Sequence, residues 1–325
     1  MPDGAYDAVI VGGGPGGLSA ALNLARARVR VLVVDADRPR NAATLNSHGF
    51  LTRDGVPPHE LRRLARAELE VYPSVTVLSR TRVTAIAPIS PAGEAGGVSV
   101  QACGSDAARF TLTLEGRRAP ASVRADSVVV ATGLRETLPP IPSIRAFYGM
   151  SLFSCAACDA WELRDRPLAL IGETPDLPDR ARLIARWTDR LTVFTNGADV
   201  IDTVEEAELA ASGILVDRRG IADLEGDRGS LTGVRLNDGT LVPVEGGFVR
   251  PHWAPSVEFL AGLDVACDPH GHLIVDRSGR CSIEGIYAAG DAVAPGPQQL
   301  IVAAGQGARV AAVLVHDRLG VRTAH

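Results

Sequence analysis

Two cysteines, Cys155 and Cys158, have the spacing of a redox pair, and an aspartate, Asp159, follows them directly. A C-x-x-C spacing lets two sulfurs cycle between dithiol and disulfide, and a helix that begins at the pair favours the reactive thiolate. Half of a zinc site and a pair of buried core cysteines are the alternatives. The other three cysteines are isolated: Cys103, Cys267 and Cys281. Zinc needs four ligands, so the pattern predicts redox chemistry and no metal site.

Length and composition limit the classes of protein that fit. A chain of 325 residues predicts about two domains, and 46% hydrophobic residues are enough for packed cores. The net charge of −5 gives no case for nucleic acid or an anionic membrane as a partner. All 33 basic residues are Arg, so Lys chemistry is excluded. Because the first residues lack a basic region, no long apolar run stands out and only one cysteine pair is close, a cytoplasmic protein without a membrane span is expected.

A glycine-rich turn near the start of the sequence predicts a dinucleotide site. Residues 6–11 are typical of a buried strand, and an Ala- and Leu-rich helix follows the turn through about residue 27. The G-x-G-x-x-G spacing lets a pyrophosphate approach the backbone and rest on the helix N-terminus, while an acid after the next strand binds ribose hydroxyls. The residues predicted to do this are Gly12, Gly14, Pro15, Gly17 and Asp35.

The order of the elements predicts an α/β protein with two Rossmann-like, doubly wound domains. Short β-rich runs suggest a meander inserted in the first domain, at residues 75–78, 98–102, 110–114 and 127–130. The stiff Leu138–Pro142 segment and a second crossing near 247–254 predict a discontinuous first domain. The predicted division is 1–137 for the first part of the cofactor domain, 138–250 for the inserted domain and 251–325 for the second part of the cofactor domain.

The cysteine motif and three further segments resemble the thioredoxin reductase group of flavoproteins over essentially the whole chain. The segments are Ala131-Thr132-Gly133, Ala288-Ala289-Gly290-Asp291 and Gln298-Gln299-Leu300. The resemblance implies FAD as the cofactor, with Asp291 binding its ribitol and phosphate and the following helix pointing at the isoalloxazine ring. Asp291 as a turn or helix-capping residue is the alternative. The further FAD contacts that the resemblance implies are Val83, Thr132, Gly133, Gln299 and Leu300.

The resemblance also implies roles for the cysteine motif. Cys158 is expected to face the flavin, Cys155 to exchange with the substrate, and Asp159 to relay protons. A turn-capping role is the alternative for Asp159. The relatives are homodimers, so a homodimer is expected here.

The second nucleotide site departs from the thioredoxin reductase pattern. The corresponding turn runs from Gly172 to Leu177, and only its first glycine remains. Glu173 and Asp176 put negative charge where phosphates would lie, and no arginine follows the next strand at Thr195-Asn196-Gly197. A divergent but working site is the alternative. The turn predicts that NADPH is not the electron donor.

A flavoprotein of this type without a nicotinamide site is similar to the FAD-dependent dithiol oxidases that close the disulfides of holomycin and gliotoxin. The loop from Asp35 through Gly55 also resembles that branch. By position, His48 is expected to assist proton transfer and Asn41 to contact flavin or substrate, with a structural histidine as the alternative. Trp253 is either a pocket wall or a core or interface residue.

These features together predict an FAD-dependent oxidase that closes an intramolecular disulfide in a small natural-product dithiol and passes electrons to O₂, giving H₂O₂. One rival is a thioredoxin reductase-like enzyme with a donor such as ferredoxin. The other is a flavin-binding sensor or interaction protein without turnover, and the intact cysteine motif argues against it.

Overall fold

The computed structural model describes residues 5–89, 108–294 and 296–321. The predicted run at 98–102 and the isolated Cys103 lie outside this described part. Contacts divide the chain into two compact units. Unit 1 comprises Met1–Arg40, His59–Arg135 and Ala254–His325, and unit 2 comprises Asn41–Pro58 and Glu136–Trp253. The predicted division placed residues 41–58 in the cofactor domain, whereas their contacts group them with the cysteine unit.

Strands and helices are numbered along the chain. The strands are β1 Ala5–Val11, β2 Val31–Asp35, β3 Val75–Ser79, β4 Arg82–Pro88, β5 Phe110–Glu115, β6 Ser122–Val130, β7 Leu134–Thr137, β8 Leu152–Phe153, β9 Leu168–Ile171, β10 Leu191–Phe194, β11 Leu215–Asp217, β12 Ile221–Asp227, β13 Ser230–Leu236, β14 Leu241–Pro243, β15 Gly247–Val249, β16 His252–Pro255 and β17 Ile286–Ala288. The helices are α1 Pro15–Arg26, α2 Pro58–Leu69, α3 Ile144–Phe147, α4 Ala156–Asp159, α5 Leu177–Ile184, α6 Thr203–Ala211 and α7 Leu300–Leu319.

Unit 1 is built on one sheet with the strand order β3-β2-β1-β6-β5-β4, and β17 pairs with β6. The central strands β1, β2 and β6 are parallel and apolar because both faces of the sheet are covered. Strands β4, β5 and β6 form an antiparallel meander that extends this same sheet, whereas the predicted run at 75–78 is β3, which pairs in parallel with β2 and lies outside the meander. The α/β prediction is confirmed. β4 itself was not predicted, because its alternation is interrupted by exposed Thr84 and Ala85.

Helices α1 and α7 pack together against the sheet of unit 1. A Cβ on Gly307 would overlap the backbone carbonyl of Gly16, so the two helices approach as closely as glycine allows. Leu24 and Leu314 are both fully buried in the core cluster that the helices share. Among the described residues, one helix is long enough and apolar enough to cross a membrane by length and composition, and that helix is α7. Its buried side chains are core residues of unit 1.

Unit 2 contains a parallel sheet with the order β11-β10-β9-β15-β8 and an antiparallel sheet with the order β12-β13-β14. The short apolar runs at 168–171 and 191–194 form β9 and β10. Helix α5 begins at Leu177 and ends at Ile184. The sheet of β12 to β14 was not predicted. Strands β7 and β16 pair with each other in a separate two-stranded sheet.

Candidate active site

Cys155 and Cys158 are joined by a disulfide, with their Cα atoms 5.3 Å apart. Cys155 has an extended backbone and directly precedes α4, and its carbonyl accepts hydrogen bonds from the backbone N–H groups of Cys158 and Asp159 at 3.3 and 3.1 Å. The spacing thus folds into one helical turn that holds both sulfurs. The pair can therefore be opened by an external thiol and closed again without a change in fold.

Asp159 lies at the end of this turn and is buried, with 8% of its surface exposed. Burial raises the pKa of Asp159 to about 7, while the nearby His48 lowers the pKa and Glu162 raises it. Desolvation disfavours the carboxylate, so the group is divided between its two protonation states near neutral pH. An acid of that kind beside a disulfide can both accept and return a thiol proton.

His48 lies in a small hairpin of unit 2. Ser47 and Val56 form an antiparallel bridge, closed by a hydrogen bond of 3.0 Å from the Ser47 N–H to the Val56 carbonyl. The imidazole Nδ1 is 3.6 Å from Asp54 Oδ1, and Nε2 is 3.7 Å from Glu162 Oε1. His48 therefore has a carboxylate beside each ring nitrogen, and both His48 and Glu162 act on the charge of Asp159.

The first glycine-rich turn lies between β1 and α1 and has the form of a phosphate cradle. Gly12 has φ +116°, and a Cβ there would overlap Ala131, so only glycine fits. Gly14 caps α1 and has no atom within 4 Å of its ideal Cβ position, which leaves open space at the helix N-terminus. Pro15 occupies the first turn of α1, where its missing N–H costs nothing. Gly17 packs against the carbonyl of Gly12.

Polar groups of unit 1 surround this turn. Asp35, at the end of β2, lies under Gly13 and accepts a 2.5 Å ion pair from Arg66 of α2. The hydroxyl of Thr132 is buried and has no hydrogen-bond partner within the described residues. Gly133 beside it has φ +68°. An unpaired buried hydroxyl next to an open helix N-terminus fits the diphosphate and ribityl portions of FAD.

The Gly290-Asp291 turn follows β17 in the same unit. Asp291 forms a 2.8 Å ion pair with Arg40, and the Gly290 N–H donates to Gln306 Oε1 at 2.6 Å. Helix α7 begins at Leu300 with Gln299 as its extended N-cap. The Asp291 carboxylate, the Gln306 amide and the N-terminus of α7 thus all belong to unit 1. These groups would hold the polar ribityl chain and face the flavin.

Two predicted cofactor residues have other surroundings. Val83 is buried in β4 opposite Leu114 and packs in the core of unit 1. Asn41 begins the segment of unit 2 that carries His48. The described residues contain no group of three or more His, Cys, Asp or Glu that could hold a metal ion.

The second glycine turn, between β9 and α5, is filled by its own side chains. Asp176 Oδ2 accepts hydrogen bonds from Arg180 at 2.9 Å and Arg250 at 2.8 Å, and its Oδ1 accepts one from Thr174 at 2.6 Å. Partial burial would raise the pKa of Asp176, but these hydrogen bonds and the two arginine charges outweigh it and hold the pKa at about 2. The Asp176 carboxylate of this turn is therefore ionised at neutral pH.

Trp253, in β16, packs against the two arginines that bind Asp176. The guanidinium of Arg250 stacks 4.2 Å from its ring centroid, that of Arg180 lies 5.3 Å away, and the indole N–H donates to Glu136 at 3.0 Å. These contacts are within unit 2 and are typical of a structural residue.

Sequence reasoning missed four charged residues of these sites: Arg40, Asp54, Arg66 and Glu162. Arg40 and Asp54 were within the loop that carried the resemblance, but a loop sequence does not show which carboxylate or cation a side chain will meet. Glu162 follows Asp159 by one helical turn, and this spacing was an available signal.

Comparison with known proteins assigns the chain to a family. Residues 6–307 match the family described as pyridine nucleotide-disulphide oxidoreductase, and the chain belongs to it. Within that family the chain is thioredoxin reductase-like, and it is an FAD flavoprotein and an oxidoreductase.

Two solved structures are similar over nearly the whole chain. TrxB from Bacillus anthracis, described as a thioredoxin reductase, is 34% identical over 97% of this chain and 99% of its own, with a TM-score of 0.84. HlmI is 32% identical over 98% of this chain and 94% of its own, with a TM-score of 0.87. A relative from Arthroderma benhamiae, named as a thioredoxin reductase, is 34% identical over 200 residues. That match spans 61% of this chain and 45% of the relative, less than half of its length.

Proposed function

We propose that the protein is an FAD-dependent dithiol oxidase that forms an intramolecular disulfide in a small natural-product dithiol, with O₂ as electron acceptor and H₂O₂ as product. The observation that carries the proposal is a contrast within unit 2. The cysteine pair and its buried acid are intact, whereas the turn that would bind a nicotinamide nucleotide holds Asp176 and its arginines.

The filled turn opposes a nucleotide in two ways. The pKa of Asp176 is about 2, so its carboxylate is ionised at physiological pH and holds the guanidinium groups of Arg180 and Arg250 in ion pairs, away from a pyrophosphate. Leu177 is fully buried and lies within 2.8 Å of the ideal Cβ position of Gly172, so the space above the glycine is taken by a side chain. A pyrophosphate needs the opposite environment, with open space and free N–H groups.

Arg218 and Arg219, which follow β11, are each held by two carboxylates. Arg218 pairs with Glu206 at 2.8 Å and with Asp199 at 3.1 Å. Arg219 pairs with Asp217 at 2.6 Å and with Asp238 at 2.7 Å. In the turn after β9, Glu173 Oε1 accepts a hydrogen bond from the side-chain amide of Asn196 at 2.6 Å. A phosphate could recruit the guanidinium group of Arg218 or Arg219 only by competing with these carboxylates.

The cysteine turn supplies the first half of the reaction. Asp159 accepts a proton from one substrate thiol, and the resulting thiolate attacks the Cys155 sulfur, so that the Cys155–Cys158 bond breaks and Cys158 leaves as a thiolate. The second substrate thiolate then attacks the substrate sulfur of the mixed disulfide and releases Cys155. The substrate has lost two electrons and two protons, and the enzyme pair holds the electrons as a dithiol.

FAD, when bound, accepts the electron pair from the reduced cysteines and delivers it to O₂. Asp159, with a pKa of about 7, holds protons during this cycle and returns them. Two electrons and two protons thus leave the dithiol and appear in H₂O₂. The proposal includes a cytoplasmic homodimer, which light scattering on the purified protein would test.

The decisive experiment is anaerobic stopped-flow reduction of the purified FAD-loaded protein. Dithiothreitol, NADPH and NADH are compared as reductants, and flavin absorbance is followed, with Cys155→Ser as a control for non-specific reduction. We expect the dithiol to bleach the flavin and both nicotinamides to act far more slowly. Admission of air should then restore the flavin with one H₂O₂ per dithiol oxidised.

Rapid bleaching by micromolar NADPH would contradict the proposal and favour a reductase. Reduction by dithiol without recovery in air would contradict O₂ as the acceptor, and reduced ferredoxin would then be tested as the donor for the reverse reaction.

A further inference from the structure

Two arginines of α2, Arg63 and Arg66, have different surroundings. Arg63 is exposed, and its Nε and Nη2 atoms each donate a hydrogen bond of 2.7 Å to the carboxylate of Glu60. Arg66 uses Nη2, which donates to Asp35 at 2.5 Å and to Asp37 at 3.3 Å. The Nε–H of Arg66 is buried and has no hydrogen-bond partner among the described residues. A buried N–H group without an acceptor is destabilising, so this donor requires an explanation.

The position of Arg66 indicates where an acceptor could come from. Its partner Asp35 ends β2, and the Oδ2 atom of Asp35 lies 2.2 Å from the ideal Cβ position of Gly13. The Asp35 carboxylate therefore lies directly against the glycine turn that precedes α1. Arg66 Nη2 binds this same Oδ2 atom, and all three residues belong to unit 1. The unpaired N–H group is thus at the edge of the predicted dinucleotide site.

The Asp35 carboxylate and the Arg66 guanidinium together match a hydroxyl group. An ionised carboxylate can accept about four hydrogen bonds, and two of these positions are taken by the Asp37 N–H at 3.0 Å and by Arg66 Nη2. A further donor can therefore bind Asp35, while the Nε–H of Arg66 requires an acceptor. A hydroxyl is both donor and acceptor, so one group satisfies both residues. The adenosine ribose of FAD carries such hydroxyls, and an acid after the second strand is the expected partner for them.

We propose that Arg66 binds the adenosine ribose of FAD together with Asp35. One ribose hydroxyl donates to the carboxylate and accepts from the Nε–H of Arg66, while Nη2 of the same guanidinium keeps the carboxylate in place. Arginine suits this role because its N–H groups have fixed directions in one plane, whereas lysine offers a rotating point charge. The inference concerns cofactor binding and does not depend on the dithiol oxidase proposal.

The test measures the binding of cofactor fragments to the full-length protein after FAD has been removed, with reconstitution by FAD as the check that the protein is intact. Isothermal titration gives dissociation constants for ADP, its 2′-deoxy and 3′-deoxy analogues, and FMN. ADP contains the adenosine and pyrophosphate of FAD without the flavin, whereas FMN contains the flavin without the adenosine. The variants are Arg66→Gln and Arg66→Lys. Arg63→Gln is the matched control, because it removes the same charge from the same helix.

We expect Arg66→Gln to weaken ADP binding about tenfold and to leave FMN binding unchanged, because a charge-assisted hydrogen bond to the ribose is lost. For the analogue that lacks the bound hydroxyl, the same substitution should weaken binding by about threefold or less, since the partner of Arg66 is already absent. Arg66→Lys keeps a positive charge beside Asp35 and provides the measurement if the glutamine variant folds poorly. It should also lose ADP affinity, because lysine has no second N–H in a fixed direction. Arg63→Gln should match the parent.

Three results would overturn the proposal. One is an ADP affinity in both Arg66 variants equal to that of Arg63→Gln. Another is an equal loss for ADP and for both deoxy analogues, which would mean that Arg66 does not act on a ribose hydroxyl. The third is a loss of FMN binding as large as the loss of ADP binding, which would indicate that Arg66 supports the fold of unit 1 rather than the adenosine.

Discussion

The two glycine turns of this chain begin alike and end differently. Each follows a buried parallel strand and opens a helix, and each has a carboxylate near it. In the first turn Asp35 lies below Gly13, and the helix N-terminus next to Gly14 is open. In the second, Asp176 lies within the turn and binds two arginines. In the proposed function, the second turn does not bind a nucleotide because side chains of the protein take the place of the phosphates, in addition to the missing glycines.

The largest expected effect separates the cysteine pair from the FAD turn. Cys155→Ser or Cys158→Ser should reduce dithiol oxidation by about 1,000-fold or more, because neither sulfur alone can hold the electron pair as a disulfide. FAD should remain bound, because the residues around Gly14 belong to unit 1. Turnover and the flavin-to-protein absorbance ratio are measured together. Undiminished turnover in either variant would mean that the pair is structural.

The next effect concerns the free energy of unfolding, which the buried Asp159 of the cysteine unit lowers at neutral pH. Burial raises the pKa of Asp159 to about 7, so the folded state binds its proton more tightly than the unfolded state does. The folded protein therefore loses stability as the pH rises from about 4 to about 7. Asp159→Asn should remove this loss and raise the free energy of unfolding by up to about 4 kcal/mol at pH 8, with little change at pH 4, because each unit of the pKa rise corresponds to about 1.4 kcal/mol. Denaturant titrations at both pH values measure this, and an equal effect at both would contradict the raised pKa.

A single methyl group in each turn provides a matched comparison. Gly14→Ala places a Cβ where no atom lies within 4 Å, so the protein without cofactor should keep its stability. FAD affinity should nevertheless fall by about 10- to 100-fold, or roughly 1.4 to 2.7 kcal/mol, because the methyl group occupies the path of the pyrophosphate. Gly172→Ala should leave FAD affinity unchanged. Isothermal titration with FAD measures both, and equal losses would show that the turns are not distinct.

The smallest expected effect is on NADPH affinity, when the charge of Asp176 is removed from the second turn. Asp176→Asn removes the negative charge of the second turn and frees Arg180 and Arg250 from their ion pairs. NADPH affinity should rise by about threefold, since the two guanidinium groups become available to a phosphate while Leu177 still occupies the space. Fluorescence titration with NADPH measures the change. A gain of 100-fold or more would mean that Asp176 alone blocks an otherwise complete site.

Sequence patterns predicted those features best that depend on residues next to one another in the chain. The buried strands β1, β9 and β10 are short apolar runs, and the turn at Gly12 needs glycine, so these features could be predicted. The strands from β12 to β14 alternate weakly and are held by pairing with one another, which a linear sequence does not show.

The candidate site followed the same rule. The disulfide could be predicted because its partners are three residues apart. The contact between His48 and Glu162, by contrast, joins distant parts of the chain. The ion pair of Arg40 with Asp291 is of the same kind. Long-range electrostatic partners depend on the packing of whole units, and one sequence does not specify them.

The close packing of α1 against α7 has a consequence for the order in which the protein can mature. Helix α1 is made first, and α7 is the last described element to leave the ribosome. Until α7 is present, the side of α1 around Gly16 and Ala20, which packs against Gly307, is uncovered, and the Gly290 N–H has no Gln306 side chain to bind. We therefore expect FAD to be captured only after α7 has left the ribosome and packed against α1, because both contacts that α7 makes here are absent before then.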